Sequence, residues 1–353
     1  MFKFFSEIRP AFGLNISPTS IRLMQLEKKK GSLKARAYSH VPLAKGVINN
    51  DVVADGKTFT YLLRQAMEKT KLGQLNTGYA VVSLPESKSF VRVIQIPRMS
   101  DGEADTAVPL EAESFIPLPV DQVYLDWQKI GETGDKMSIL IIASPREFVD
   151  QFLSALDAAG VKPVALEVES QSCARAVLPP GSKDTALIVD MSAYRSSLVM
   201  VEDGSLQFTS TVPIAGNSFT ESVAKILGVA STKAEEIKQR VGIANTADYP
   251  NIKIALLPVL NNLSAEIKNI LRFHREHSAA EVKRIILAGG SARLKNLPEF
   301  LTPQFADFPG LTVELANPWL GLPQLAAPPF DPSEALGYTT AIGLAMRGVN
   351  FTP

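Results

Sequence analysis

Cysteine is nearly missing from this chain. Cys173 is the only one in 353 residues, so no internal disulfide can form and an exported disulfide scaffold is excluded. Burial is the expected place for this lone thiol. Net charge is missing as well: 36 basic side chains balance 36 acidic ones. A general grip on nucleic acid needs a surplus of Lys and Arg, so no nucleic-acid partner is expected. No stretch approaches the roughly 20 apolar residues of a membrane span. The start, Met1 to Pro10, lacks the continuous apolar core of a signal peptide. A cytoplasmic protein without a transmembrane segment of its own is therefore expected, with the short Met1-Phe2-Lys3-Phe4-Phe5 packed on the body, or else touching a membrane surface. Histidines are few, and His40, His274 and His277 have no spacing that suggests a metal. His274 and His277 are expected at the end of a long helix, where positive charge is favourable.

What the chain does have is an ordinary globular composition, 46% hydrophobic and 20% charged, and length for two core-bearing domains at roughly 100–200 residues each. Strands and helices alternate, the pattern of a layered α/β protein. Phe59, Leu62, Leu63, Ala66 and Met67 put an apolar stripe on a helix over 57–71, and a strand follows over 79–84. The texture changes from Ser83 to Pro163. There a strand carries Phe90, Val91, Val93, Ile94 and Ile96, an acidic helix spans about 103–115, and a buried strand covers 139–143. Ser144-Pro145-Arg146-Glu147 then reads as an N-cap, a first-turn proline and a capping-box glutamate. This block is expected to be a small inserted α+β subdomain. Further on, capping boxes are expected at Ser218 to Glu221 and at Thr232 to Glu235. A long helix is expected over 257–277 with Pro258 in its first turn.

Two polar turns share one design. In Gly13-Leu14-Asn15-Ile16-Ser17-Pro18-Thr19-Ser20 and in Val189-Asp190-Met191-Ser192-Ala193-Tyr194-Arg195-Ser196, an apolar run delivers one Asn or Asp, then small hydroxyl residues, then a second apolar strand. Backbone N–H groups at such a turn can face phosphate oxygens, and the adjacent carboxylate can hold a metal's water shell; a plain hairpin is the alternative. Later, the strand Arg284 to Ala288 runs into Gly289-Gly290-Ser291, which lets a ligand approach the backbone, or else makes a tight turn.

These pieces stand in the order found in actin-like ATPases. The chain resembles the PilM family of type IV pilus assembly proteins within that superfamily, and more distantly FtsA. The most particular matches are Gly46-Val47-Ile48-Asn49, Ser83-Leu84-Pro85-Glu86-Ser87, Glu111-Ala112-Glu113-Ser114-Phe115-Ile116-Pro117, Pro213-Ile214-Ala215-Gly216-Asn217 and Glu334-Ala335-Leu336-Gly337 leading to Gly343-Leu344-Ala345. The resemblance implies an actin-like fold of two duplicated α/β domains: residues 10–82 and 186–330, an insertion at 83–163, a connection at 164–185, and a C-terminal helix in 331–353 returning to the first domain. It implies ATP and Mg2+ as cofactors. Asn15 and Ser17 would face Asp190, Ser192 and Ala193 across the phosphates, and Gly216 and Asn217 would lie near the ribose. Glu235 and Lys238 would stand on one side of the adenosine, with Gly289, Gly290 and Ser291 on the other. Without the family context, Glu235 and Lys238 read equally well as an exposed ion pair. Asp190 is the metal residue the resemblance implies. Asn15 stands where the superfamily has aspartate, and Ser17, Pro18 and Ser192 stand near glycine positions. Weak nucleotide binding or slow hydrolysis is therefore expected.

Two functions compete. The resemblance implies an adaptor for the cytoplasmic N-terminal segment of a PilN-like inner-membrane protein and for other pilus assembly proteins, peripheral to the membrane and serving twitching motility. The alternative is an active ATPase or small-molecule kinase, which needs a positioned base. Glu169 or Gln171, at the domain connection, is a candidate to orient a water, or a hinge contact.

Overall fold

The computed structural model describes residues 10–29, 32–244 and 246–349; the expectation for Met1 to Phe5 lies outside them. Strand β1 (Phe12–Ser17) and β2 (Ser20–Lys29) form a hairpin around Pro18-Thr19, with Asn15 opposite Arg22 and Ser17 opposite Ser20. Strand β3 (Ser32–Pro42) continues antiparallel beside β2. A small hairpin, β4 (Ile48–Asn49) and β5 (Val52–Val53), turns through Asn50 and Asp51 at φ of 48° and 64°. Asn and Asp tolerate that left-handed turn. Helix α1 (Gly56–Glu68) starts where the Asp55 carboxylate accepts from Thr58 N, and it buries Phe59, Leu63 and Ala66. Strand β6 (Tyr79–Leu84) runs parallel to β1.

The block after Ser83 holds β7 (Phe90–Pro97), α2 (Asp101–Ala112), β8 (Val123–Thr133), β9 (Lys136–Pro145) and α3 (Arg146–Ala158). Helix α2 has a full capping box between Ser100 and Glu103. It closes a small core of Ile94, Ile96, Val108, Ile116 and Met137. The other helix of the block faces elsewhere, since α3 sends Phe148, Phe152 and Leu156 into the first domain's core. Ser144 does not cap α3. The strand extends through it, its hydroxyl donates to Lys88 O at 2.8 Å, and Pro145 takes the cap position without a side-chain bond.

Strand β10 (Lys162–Val168) joins β6 in parallel and completes a five-stranded sheet in the order β10-β6-β1-β2-β3; helix α4 (Glu169–Val177) follows directly. The second half repeats this plan. It contains β11 (Ala186–Met191), β12 (Ser196–Glu202), β13 (Ser205–Val212), α5 (Gly216–Leu227), α6 (Ser231–Val241), α7 (Ile252–His277), β14 (Arg284–Ala288), α8 (Leu297–Leu301) and β15 (Thr312–Leu315). Its order β15-β14-β11-β12-β13 has the parallel and antiparallel pairs of the first sheet. Phe208 on β13 then pairs with Arg92 on β7, so β7-β9-β8 extends this sheet to eight strands.

Three helix starts differ from the sequence expectation. Helix α5 begins at Gly216, so Ser218 sits inside it, accepting from Ala215 N at 3.3 Å. Helix α6 begins at Ser231, leaving Thr232 inside. Helix α7 begins at Ile252, which places Pro258 in its interior. A proline there costs about 3 kcal/mol. The buried Ile252, Leu256, Leu260, Leu263 and Ile267, at about 1.5–3 kcal/mol each, offset it.

After α9 (Pro332–Ala335), the chain ends its described part in α10 (Thr339–Val349). This helix lies against β1 and α4 because its small residues permit contact with backbone. A Cβ on Gly343 would run into the Ser172 carbonyl, and one on Gly13 would meet Ala341 O. Cys173 is fully buried beside them, and burial pushes its thiol well up. Among the described residues no helix is long and apolar enough to cross a membrane.

Candidate nucleotide cleft and partner groove

The two turns stand at corresponding ends of the two repeated sheets. In the first, Ser17 Oγ is spent on its own turn, donating to Ser20 O at 3.1 Å and accepting from Ser20 N at 3.2 Å. Asn15 is buried, and its amide donates to Ser83 Oγ at 3.1 Å and to Glu169 Oε1 at 3.4 Å. It therefore presents hydrogens, not anionic oxygen, to the cleft. In the second turn, Ser192 Oγ donates to Arg195 O at 2.8 Å.

The other expected residues gather around that second turn. Gly216 N and Asn217 N, at the start of α5, donate to Ser192 O and Ala193 O at 3.0 and 2.9 Å. Ser291 Oγ donates to Ser192 O at 2.7 Å. Gly289, at φ of 82°, packs so close to Asp190 that a Cβ would strike its carboxylate; Gly290 opens a single 3-10 turn. Lys238 is buried and donates to Gly216 O at 3.0 Å, Thr220 Oγ1 at 2.9 Å and Glu235 Oε2 at 2.7 Å. Glu235 also accepts from Thr220 and Gln239. The pair is a brace between α5 and α6, its lysine buried and its glutamate half-exposed, rather than an exposed ion pair. Its hydrogen bonds hold Glu235 below the usual carboxylate range even though burial pushes the other way.

Sequence reasoning missed the charged centre between the turns. Arg195 reaches from the second turn to Asp51 in the β4–β5 turn, with Nη1 at 2.5 Å from Oδ2 and Nη2 at 3.0 Å from Oδ1, and its Nη2 lies 3.7 Å from Glu169 Oε2. Glu86 accepts from Ser170 N and Ser170 Oγ, each at 3.2 Å, capping α4 from a distant loop. Burial lifts Glu169 to about 7, helped by Asp190, Glu86 and Asp51 and opposed by Arg195. Burial and Glu86 lift Asp190 to about 6, against Arg195 and Arg22. Glu86 is raised by burial too. The one signal in the sequence was an arginine in a turn otherwise made of small residues and Tyr194; its partner is 144 residues away.

Magnesium does not fit this donor set. It takes an octahedron of oxygens, usually one or two carboxylates with phosphate oxygens and waters, whereas Asn15 turns an amide donor to Ser83 and Glu169, and the positive charges of Arg195 and Arg22 act on Asp190. Among the described residues no group of His, Cys, Asp or Glu is arranged to hold a metal. The expected metal role of Asp190 is therefore not supported. Several phosphate and ribose donors, Gly216 N, Asn217 N and Ser17 Oγ, are likewise committed within the protein. A cavity of about 380 Å3 lies at the Arg195–Asp51 pair, walled by Pro18, Asn49, Asp51, Lys88, Tyr194 and Arg195.

A larger groove of about 560 Å3 lies elsewhere, between β8, β9, α4 and the β12–β13... turn at residues 203–206. Ile130, Leu140, Leu178 and Leu206 give it apolar surface, and Gln128 and Gln171 add polar atoms. Gln171 thus lines the groove together with Ala174 and Arg175 further along α4 and Leu178 at its end, while Glu169, two residues before Gln171 in the same first turn, faces the cleft.

Two copies of one sheet plan, each ending in a polar turn that faces its counterpart across a cleft, define an actin-like fold. MreB5 of Spiroplasma citri bound to AMPPNP is similar in fold, with 13% identity, a TM-score of 0.55, and 97% of this chain and 96% of that one covered. FtsA of Streptococcus pneumoniae is 22% identical over 95% of this chain and 82% of its own length. A family model described as type IV pilus assembly protein PilM matches residues 13–349, and this chain belongs to that family. A solved PilM-PilN type IV pilus biogenesis complex is similar over 98% of this chain and 100% of that one, at 26% identity and a TM-score of 0.82.

Proposed function

We propose that this chain is an adaptor of type IV pilus assembly that holds the cytoplasmic N-terminal segment of a PilN-like inner-membrane protein in the groove between β8, β9 and α4. The groove itself carries the reading. It has the size and the mixed apolar and polar lining of a binding site, it borders the inserted strands, and a similar solved structure is a PilM-PilN type IV pilus biogenesis complex. The adaptor sits at the inner membrane through that partner and contacts other pilus assembly proteins.

Glu169, the candidate base of the enzyme alternative, is not free. Both oxygens of Glu169 are engaged, Oε1 by Asn15 and Oε2 by Glu86 N and Arg195. Nucleotide, where it binds, acts as a conformational ligand, and α4 is the physical link: it runs from Glu169 in the cleft to Arg175 and Leu178 at the groove.

Fluorescence anisotropy with a peptide copy of the partner's N-terminus, with and without Mg-ATP, tests the reading. Saturable binding is expected, and Ile130→Asp should weaken it at least about tenfold by placing a charge against the apolar lining. Absence of binding to the folded wild type would remove the adaptor role.

A further inference from the structure

We propose that Arg195 is a resident cation that replaces the metal of the cleft, cross-linking the two domains through Asp51 and Glu169 so that the cleft stays joined without magnesium. The inference does not rest on the peptide reading.

Three observations carry it. First, Arg195 belongs to the turn between β11 and β12 of the second domain, whereas Asp51 belongs to the β4–β5 hairpin of the first and Glu169 to α4. The guanidinium therefore bridges the second domain's turn to the first domain across the cleft. Second, the contact is a bidentate fork on a carboxylate that is itself buried, and only 17% of the Arg195 side chain and 5% of the Asp51 side chain is exposed. Planar forks of this kind fix geometry as well as charge. Third, Arg195 is the cation that most of these carboxylates share. Asp51, Glu86 and Glu169 all act on it, while Arg22, whose charge also reaches Asp190, is turned to Ser20 Oγ at 2.6 Å and to the Tyr338 ring. A divalent ion brought into this centre would meet a fixed positive charge at the point where its ligands converge.

The chemistry of substitution follows. With a small residue in place of Arg195, Asp51 and Glu169 lose the positive charge they share, and a hydrated divalent cation, which one or two carboxylates can hold, becomes an available replacement. The Arg195→Ser variant should melt about 5–10 °C below wild type in a magnesium-free buffer. Millimolar Mg2+ should recover most of that loss while leaving the wild-type melting temperature unmoved. Electron paramagnetic resonance should detect no stoichiometric Mn2+ on the wild type, with or without ATP. A site should appear in Arg195→Ser and disappear in Arg195→Ser/Asp51→Asn. Arg195→Lys, which keeps the charge, should stay free of Mn2+. A stoichiometric Mn2+ site in wild type, or an Arg195→Ser protein whose melting is indifferent to Mg2+, overturns the proposal. If Arg195→Ser does not fold, the wild-type and Arg195→Lys titrations decide it alone.

Discussion

Glu167 and Arg347 meet 180 residues apart in the chain, Arg347 Nη1 donating to Glu167 Oε2 at 2.7 Å. The glutamate is at the end of β10, its side chain fully buried, and the arginine is in the last turn of α10. A second guanidinium, Arg175 on α4, lies 2.7 Å from the other carboxylate oxygen; its angle is poor for a hydrogen bond, so that contact is mainly electrostatic. One buried anion thus ties strand, connecting helix and terminal helix.

Removal of either end should be unequal. Glu167→Gln leaves two arginines that are each about a third exposed and so remain solvated, at an expected cost of about 1–2 kcal/mol. Arg347→Met leaves the buried carboxylate with one poorly aligned partner, at about 3 kcal/mol. The double variant should cost less than the sum, because both changes remove one interaction. Urea unfolding of the four proteins measures this; strict additivity would show that the two residues do not act on each other.

Gly343 should be intolerant of even a methyl group. A Cβ there collides with the backbone of Ser172, and α4 and α10 would have to separate, opening the first domain's core. Gly343→Ala should lose about 3 kcal/mol or more, at or beyond the upper end of overpacking costs. Gly134→Ala, at φ of 62° in a hairpin turn with open space around it, should lose only about 1 kcal/mol from the left-handed backbone. Equal effects at the two sites, read as melting temperatures, would show that the helices can part cheaply.

The Lys238 brace leads to a third expectation. Lys238→Met removes three hydrogen bonds at once and leaves Gly216 O, buried Thr220 and half-exposed Glu235 to find others. The loss should be about 2–3 kcal/mol, near the penalty for stranding a buried polar group. It should be larger than for Glu235→Gln, which keeps the lysine's other two acceptors. The reverse order in thermal unfolding would mean that the glutamate, not the lysine, holds α5 to α6.

The two hairpins were legible in the sequence because β1–β2 and β11–β12 each carry mainly apolar residues on both sides of a short polar break, a pattern that has few structural readings. Helix starts were less legible. Ser144, Ser218 and Thr232 have the chemistry of a cap, but β9 runs through Ser144, and Ala215 and Ala230 take the cap positions of α5 and α6. Side-chain chemistry cannot say where a strand stops or which backbone N–H is already satisfied. The cleft was half legible: the small polar residues were identifiable by type, while Arg195, Asp51 and Glu86 became a site only through contacts across the fold.

The buried centre should also make stability depend on pH. Glu169 and Asp190 are lifted to about 7 and about 6, mainly by burial, in an environment that includes Glu86, Asp51, Arg195 and Arg22. A carboxyl whose pKa is raised on folding binds its proton more tightly in the native state than in the unfolded one. Its contribution therefore favours folding at low pH and declines as pH climbs from the unfolded value near 4 to the folded value. Above about pH 7 the full cost of burying the Glu169 charge is present, on the order of 3–4 kcal/mol. Glu169→Gln removes that term while keeping an acceptor for Asn15. Relative to wild type, the variant should be more stable at pH 8 than at pH 5, with the difference growing between about pH 5 and 7. Denaturant unfolding across that window reads it directly, and a difference that is flat or of opposite sign would mean that Arg195 already holds Glu169 ionised throughout.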